Sequence, residues 1–488
     1  MNIEALKAKF KNDPRIFQIA DKLSFGQTQR ICLDGLTGSS KEWIMDAVFN
    51  HPTSSKLNFL VILNDQEEAA YFHNTLENIT NDALNLLYFP ASFKVKRNYK
   101  LLNSSHVMLR TEALTKLSAA SARNIIVTYP EALFEKVVLA KELASNIISI
   151  KQAETLDLNG VMELFVMLGF ERTDFVYEPG QFALRGGILD IYSFGNEKPY
   201  RIELFGNEVD SIRIFDPESQ LSERRLLSVN IIPNVDTQFE GGDKVSMLEF
   251  LPENTVVCCN DWSFTKERLE QEVESLGIFL EYHADDAKTA MEDEDAMEKK
   301  NVTLEDFLTL DTFEKQIFDR HQLNFHGSFA GLPDNDPSIV CIHFETKPQP
   351  SFNRNFNLLI ADLKNWEKQG YTIYIFAEQA KQLERLYTIF RDLNTEINFV
   401  PVPIAIHEGF IDTDLKQVCY TDHQIFQRYH KFKVKQAFSK NKALTLKTLR
   451  ELQPGDYVTH IDHGVGIYSG LQKVDINGKN AGSRAPAL

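Results

Sequence analysis

Short, unbroken apolar runs alternate with segments of helical period through residues 1–153. They are RICLDGL (30–36), LNFLVILND (57–65), LNLLYFP (84–90) and NIIVTYPEAL (124–133). A strand covered on both faces shows a continuous run of this kind, and parallel strands need helical crossovers, so this stretch reads as a parallel α/β domain. From residue 154 to 233 the pattern becomes short alternating strands after one opening helix. They are broken at Glu178-Pro179-Gly180, Arg185-Gly186-Gly187 and Phe205-Gly206-Asn207, which predicts an inserted β-rich module. Residues 234–348 mix the apolar TVVCCNDW with a charged helix and the acidic run DDAKTAMEDEDAMEKK, the latter a solvated face. Residues 349–427 read as helix, strand, helix, a further small α/β domain. A basic linker helix follows over 428–449, with Arg428, Lys431, Lys433, Lys435, Lys440 and Lys442. Residues 450–488 read as the start of a small β-barrel, punctuated by Pro454-Gly455, Gly464, Gly466 and Gly470 and expected to remain incomplete.

Composition narrows the function classes. At 488 residues, and roughly 150 per domain, about three or four domains are expected. With 43% hydrophobic and 25% charged residues the chain is of ordinary globular composition. No window approaches the ~18 unbroken apolar residues of a membrane span. The start, MNIEALKAKFKNDPRIF, has no apolar segment of the secretory type, so a cytoplasmic location and no membrane partner are expected. Five cysteines without a C-x-x-C suggest buried thiols rather than a disulfide framework or zinc site. A formal charge of −17 argues against a broad nucleic-acid surface, which needs clustered Lys and Arg.

One stretch carries candidate chemistry. In GLTGSSKE (35–42) the phosphate-loop pattern G-x-x-x-x-G-K-[ST] keeps Gly35 and Lys41 but has Ser40 for its second glycine and Glu42 for its metal-binding hydroxyl. Ser40 brings a Cβ where glycine's freedom is used, and Glu42 sets an anion beside the phosphates. No apolar strand ends in a D-E-x-[AH] box. The expectation is an inactive nucleotide loop with no catalytic residue. Gly35 and Gly38 serve the strand-to-helix turn, and Lys41 is an ordinary first-turn lysine. His460 and His463 lack a third ligand nearby and read as turn residues, not a metal site.

Two long motifs, GQFALRGGILDIYSFGNEKPYRIELFGNEVDSIRIFDPESQ and the later LQPGDYVTHIDHGVGIYSGL, follow that degenerate loop in a fixed order. Together they resemble the N-terminal half of the bacterial transcription-repair coupling factors (the Mfd family), to about residue 479. The resemblance implies an α/β multidomain chain. Residues 1–153, 154–233 and 234–348 would form a UvrB-like module, and residues 450–488 the start of a CarD-like domain that docks on the RNA polymerase β subunit. It implies recruitment of the excision-repair ATPase UvrA through Arg185, Arg201 and Phe205, with Glu203 as supporting acid. ATP and magnesium belong to the translocase motor of the full-length family, and this chain is expected to need neither. Arg201 and Glu203, two apart on a strand, also admit a plain structural reading in which they pair with each other. The segment YFPASFKVKRNYK lacks the tyrosine-rich DNA hairpin of UvrB, so Lys94, Lys96, Arg97 and Lys100 imply weak or no direct DNA binding. Two alternatives stand beside recruitment: an ATP-dependent DNA translocase whose motor lies on a separate chain, and a free-standing polymerase-binding regulator.

Overall fold

Burial on both faces makes the apolar runs neighbours. In the computed structural model they lie in a seven-stranded sheet in the order Val340–His343, Arg30–Asp34, Gln322–Asn324, Thr255–Cys259, Asn58–Ile62, Asn124–Thr128, Asn85–Tyr88. Every neighbouring pair is parallel. Asn58–Ile62, Asn124–Thr128 and Thr255–Cys259 are buried at each residue, as a covered parallel sheet requires. Four of the strands precede the β-rich insertion and three follow it, and the two sets interleave. Thr255–Cys259 packs beside Asn58–Ile62, and Gln322–Asn324 beside Arg30–Asp34. Helices start on side-chain caps: Asp13 accepts from the Arg15 N–H before Pro14–Leu23, and Asp65 from the Glu68 N–H before Gln66–Ile79.

The structure describes residues 2–80, 85–95, 98–118, 123–235, 243–282, 302–333 and 336–428, with the strands Tyr457–His460, Gly464–Ile467, Leu471–Lys473 and Arg484–Pro486. These divide into two units, Met1–Glu142 with Gly241–Lys435, and Leu143–Glu240 with Gln436–Leu488. The first unit also holds a five-stranded sheet ordered Thr346–Pro348, Phe410–Asp412, Gln417–Thr421, Thr372–Phe376, Val400–Val402. The helices Phe356–Lys368 and Ala380–Asp392 cover it, burying Leu359, Leu363, Leu386 and Phe390 in its core. Within the segment YFPASFKVKRNYK, Phe93–Val95 pairs antiparallel with Asn98–Leu102.

The second unit contains the inserted module. Its six-stranded sheet runs Ser222–Leu226, Glu208–Phe215, Tyr200–Phe205, Ile188–Ile191, Gln181–Arg185, Glu171–Arg172. Phe165 from the helix Leu158–Met167 packs in its core with Phe182, Leu189, Ile202 and Ile212. A separate pair closes the module: Ile148–Lys151 runs antiparallel to Ser228–Ile231 and adds Ile150, Val229 and Ile231 to the same core. Further on, Tyr457–His460 pairs with Gly464–Ile467 and Leu471–Lys473 with Arg484–Pro486, both antiparallel.

The thiols depart from expectation at one position. Cys32, Cys258, Cys259 and Cys419 are buried, but Cys341 is exposed, because its strand is the edge of the large sheet. Among the described residues no helix is long and apolar enough to cross a membrane. The acidic run, the linker lysines, Lys96, Arg97 and His463 lie outside the described residues.

Candidate functional site

The loop after Arg30–Asp34 turns on Gly35 and Gly38, with φ of 79° and 52°, values that residues bearing a Cβ rarely adopt. A Cβ on Gly35 would lie 2.0 Å from the Phe344 carbonyl oxygen, and one on Gly38 2.7 Å from that of Gly409. Protein backbone thus makes the close approach that phosphate makes in a working loop. The Ser39 N–H donates to the Glu408 carbonyl at 3.1 Å, and the Glu408 N–H donates back to Ser39 Oγ at 3.1 Å. The Thr37 N–H donates to Thr346 Oγ1 at 2.8 Å and to Ser40 Oγ at 3.0 Å. Amides that would turn toward a triphosphate already have partners.

Lys41, expected as an ordinary first-turn lysine, stands in the first turn of the helix Ser40–Phe49. Its Nζ donates to Asn260 Oδ1 at 2.8 Å and lies 3.7 Å from Glu68 Oε1, so its charge is met within the fold. Glu42 is buried, and its Oε2 accepts no hydrogen bond within the described protein. Burial pushes its carboxyl up to about 8, with Glu68 and Glu408 adding to the rise and its own backbone and Lys41 opposing it. A neutral buried acid is a poor seat for magnesium, and with the cradle filled these residues do not fit a nucleoside triphosphate.

The inserted module brings its four predicted residues together. Strand alternation puts Arg201, Glu203 and Phe205 on one face, and the register pairs Glu203 with Ile188, itself paired with Arg185. A bulge between Glu203 and Leu204 and a tight turn at Gly206, φ 64°, carry Phe205 to the hairpin tip, where it is 84% exposed.

Arg201 and Glu203 do not satisfy each other. Arg201 donates through Nε and Nη2 to Asp190 Oδ1 and Oδ2 at 2.8 and 2.9 Å, and through Nη1 to the Gln220 carbonyl at 3.0 Å. Those Asp190 hydrogen bonds hold the guanidinium above its usual range. Arg185 pairs with the same Asp190 oxygen that Arg201 Nη2 meets, and donates to the Asp174 carbonyl at 2.8 Å. The two guanidiniums lie over Phe215 and Phe175, at 4.4 and 4.5 Å from the ring centroids. Glu203 accepts instead from Ser211 Oγ at 2.7 Å and Arg213 Nη2 at 3.0 Å. Asp190, with 0% of its side chain exposed, is the residue that sequence reasoning missed. Its signal was available: an acid inside the apolar strand of GILDIY must find a cation when the strand is covered.

Residues 148–236 match the family model of the UvrB interaction domain, and residues 452–482 that of the CarD-like/TRCF RID domain. The transcription-repair-coupling factor of Bacillus subtilis (strain 168) is 25% identical over 504 residues, covering 91% of this chain and 42% of that protein. That of Borreliella burgdorferi is 24% identical, covering 97% of this chain and 43% of its own length. That of Staphylococcus aureus (strain Mu50) is 22% identical over 93% of this chain. The chain therefore spans about two fifths of the length of the curated relatives it matches. It is similar in sequence over nearly all its length to the N-terminal part of the transcription-repair-coupling factors, and carries matches to the UvrB interaction and CarD-like/TRCF RID domain models.

Proposed function

We propose that this chain recruits UvrA through the solvent face of its inserted module, as the UvrB-like part of a transcription-repair coupling factor, and that it performs no ATP chemistry of its own. The observation that carries the reading is the gathering of Arg185, Arg201, Glu203 and Phe205 on one face, with Phe205 84% exposed at its tip. An exposed aromatic on the same face as two arginines has the composition of an interface hot spot. Arg201 doubles as the partner of a buried acid, so Phe205 is the cleaner probe. Phe205→Ala should leave unfolding stability within about 0.5 kcal/mol, because the ring is in water, and weaken UvrA binding by about tenfold or more. Unchanged affinity in a titration with the full chain would overturn the assignment.

The filled cradle supports the second half of the proposal. A ligand at 500 times its Kd stabilises a protein by about 3.7 kcal/mol, a shift of several degrees. Millimolar MgATP is expected to leave the thermal midpoint where it is. A rise of several degrees, lost in Lys41→Ala, would favour the translocase-component reading instead.

The match of residues 452–482 favours one further reading, contact with the RNA polymerase β subunit. Capture of purified β subunit by the full chain tests it, and loss of capture on deleting residues 452–482 is the expected result.

A further inference from the structure

The recruitment face continues beyond the four residues that point to it. Register sets Asp190 opposite Arg201, Arg201 opposite Arg213, and Arg213 opposite Arg225. Three guanidiniums therefore stand in one row across three adjacent antiparallel strands, with a single carboxylate at the inner end. Like charges directly opposite one another destabilise a sheet. Asp190 is already shared between Arg185 and Arg201, and Glu203 between Ser211 and Arg213. Arg225, exposed on the edge strand Ser222–Leu226, makes no ion pair with another described residue. The row gains exposure outward: Arg201 is 14% exposed, Arg213 26%, and Arg225 lies open. A locally cationic strip of this kind opposes the −17 of the chain as a whole.

We infer that Arg213 and Arg225 are a second contact element of the UvrA-binding face and that they receive an acidic segment of the partner, two carboxylates set about one strand spacing apart. Adjacent strands lie about 4.8 Å apart, a separation that acids three or four residues apart on a helix, or on neighbouring strands, can match. This rests on the recruitment reading and adds a division of labour to it. Phe205 supplies apolar area that holds the complex, while the guanidinium row supplies the field that guides encounter. Exposed charge at an interface acts chiefly on the association rate and its salt dependence, whereas a buried anchor acts on dissociation.

The test measures association and dissociation of UvrA with the full chain between low and physiological salt. Wild type is compared with Arg225→Glu, Arg213→Glu/Arg225→Glu and Phe205→Ala. Arg225→Glu removes an exposed side chain that has no ion pair or side-chain hydrogen bond with a described residue, so it is expected to stay folded even if the double variant does not. Expected are an association rate at low salt at least about fivefold lower in Arg225→Glu, a flatter salt dependence, and a dissociation rate within about twofold of wild type. Phe205→Ala is expected to raise dissociation and leave the salt dependence intact. Unchanged association and salt dependence in Arg225→Glu, with Phe205→Ala still weakening the complex, would overturn the inference and leave recruitment standing. If Phe205→Ala is also silent, both fall. Loss of binding to a short DNA duplex in Arg225→Glu, with UvrA association untouched, would mark the row as a phosphate surface and overturn it as well.

Discussion

Asp190 and Glu42 are both carboxyl groups withdrawn from water, and they persist by opposite means. Asp190 meets two guanidiniums with good geometry on both oxygens, the condition under which a buried charge survives. Glu42 has Lys41 close by, but the lysine is turned to Asn260 and Glu68, and Glu42 Oε2 accepts no hydrogen bond from a described residue. It is therefore held protonated around neutrality, with its carboxyl raised from 4.5 to about 8. Between those two values the folded state keeps a proton that the unfolded state has released, so stability falls as pH rises through that window. Glu42→Gln replaces a protonated carboxyl by a neutral group of the same shape. It should stabilise the protein by roughly 2–3 kcal/mol at pH 7 and by little at pH 5. Urea unfolding at the two pH values measures this. Equal stability of variant and wild type at pH 7 would show that Glu42 ionises freely in the fold.

At the scale of elements, the phosphate-loop turn has kept its backbone and changed its occupant. Its glycines admit the Phe344 and Gly409 carbonyls, and the reciprocal Ser39–Glu408 hydrogen bonds attach the small α/β sheet to the first turn of the helix Ser40–Phe49. Gly38→Ala would impose both a left-handed φ on a residue with a Cβ and an overlap with backbone that cannot swing away. A loss of about 2–3 kcal/mol is expected. Gly206→Ala, where a Cβ would meet nothing within 4 Å, should cost only the backbone term, about 1 kcal/mol. Comparing the two by thermal unfolding separates contact from conformation. Gln322–Asn324, polar at two of its three positions, left no mark in the sequence, whereas the strands Arg30–Asp34, Asn58–Ile62, Asn85–Tyr88 and Asn124–Thr128 were legible because each lies in an apolar run. Their interleaving was not: a strand buried on both faces carries no mark of which strand lies beside it, so the place of Thr255–Cys259 between Asn58–Ile62 and Gln322–Asn324 is invisible in sequence. The face proposed for recruitment was partly legible. Alternation puts Arg201, Glu203 and Phe205 on one side, but the partners Asp190 and Arg213 come from cross-strand register, which local spacing does not reveal.

For the whole molecule, two effects point the same way on the pH axis and differ in their response to salt. The net charge of −17 repels itself more as pH rises and side chains deprotonate. Separately, burial raises Glu42 to about 8 and Asp46 and Asp412 each to about 6, against 3.8 for the two aspartates in the open. Folded-state values above the unfolded ones mean stability is present at low pH and is lost as pH climbs through each window, about 4 to 6 for the aspartates and up to about 8 for Glu42. Asp216 and Asp306 are depressed below 3.8 and work in the other direction, costing stability only when the solution becomes strongly acid. For these acids taken together the maximum lies at about pH 4, above the range where Asp216 and Asp306 gain protons and before the losses at Asp46, Asp412 and Glu42 set in. Salt distinguishes the contributions. Added salt screens exposed charges across a Debye length of about 10 Å at 0.1 M, but reaches buried carboxyls weakly. Thermal unfolding from pH 4.5 to 8.5 at low salt and at 0.5 M salt should therefore show a midpoint falling toward alkaline pH in both series, less steeply at high salt but not flat. Glu42→Gln should remove most of the slope that survives salt above pH 6. A midpoint that climbs toward pH 8, or a slope that salt abolishes entirely, would mean that these buried acids are charged in the folded chain and that surface repulsion alone governs its stability.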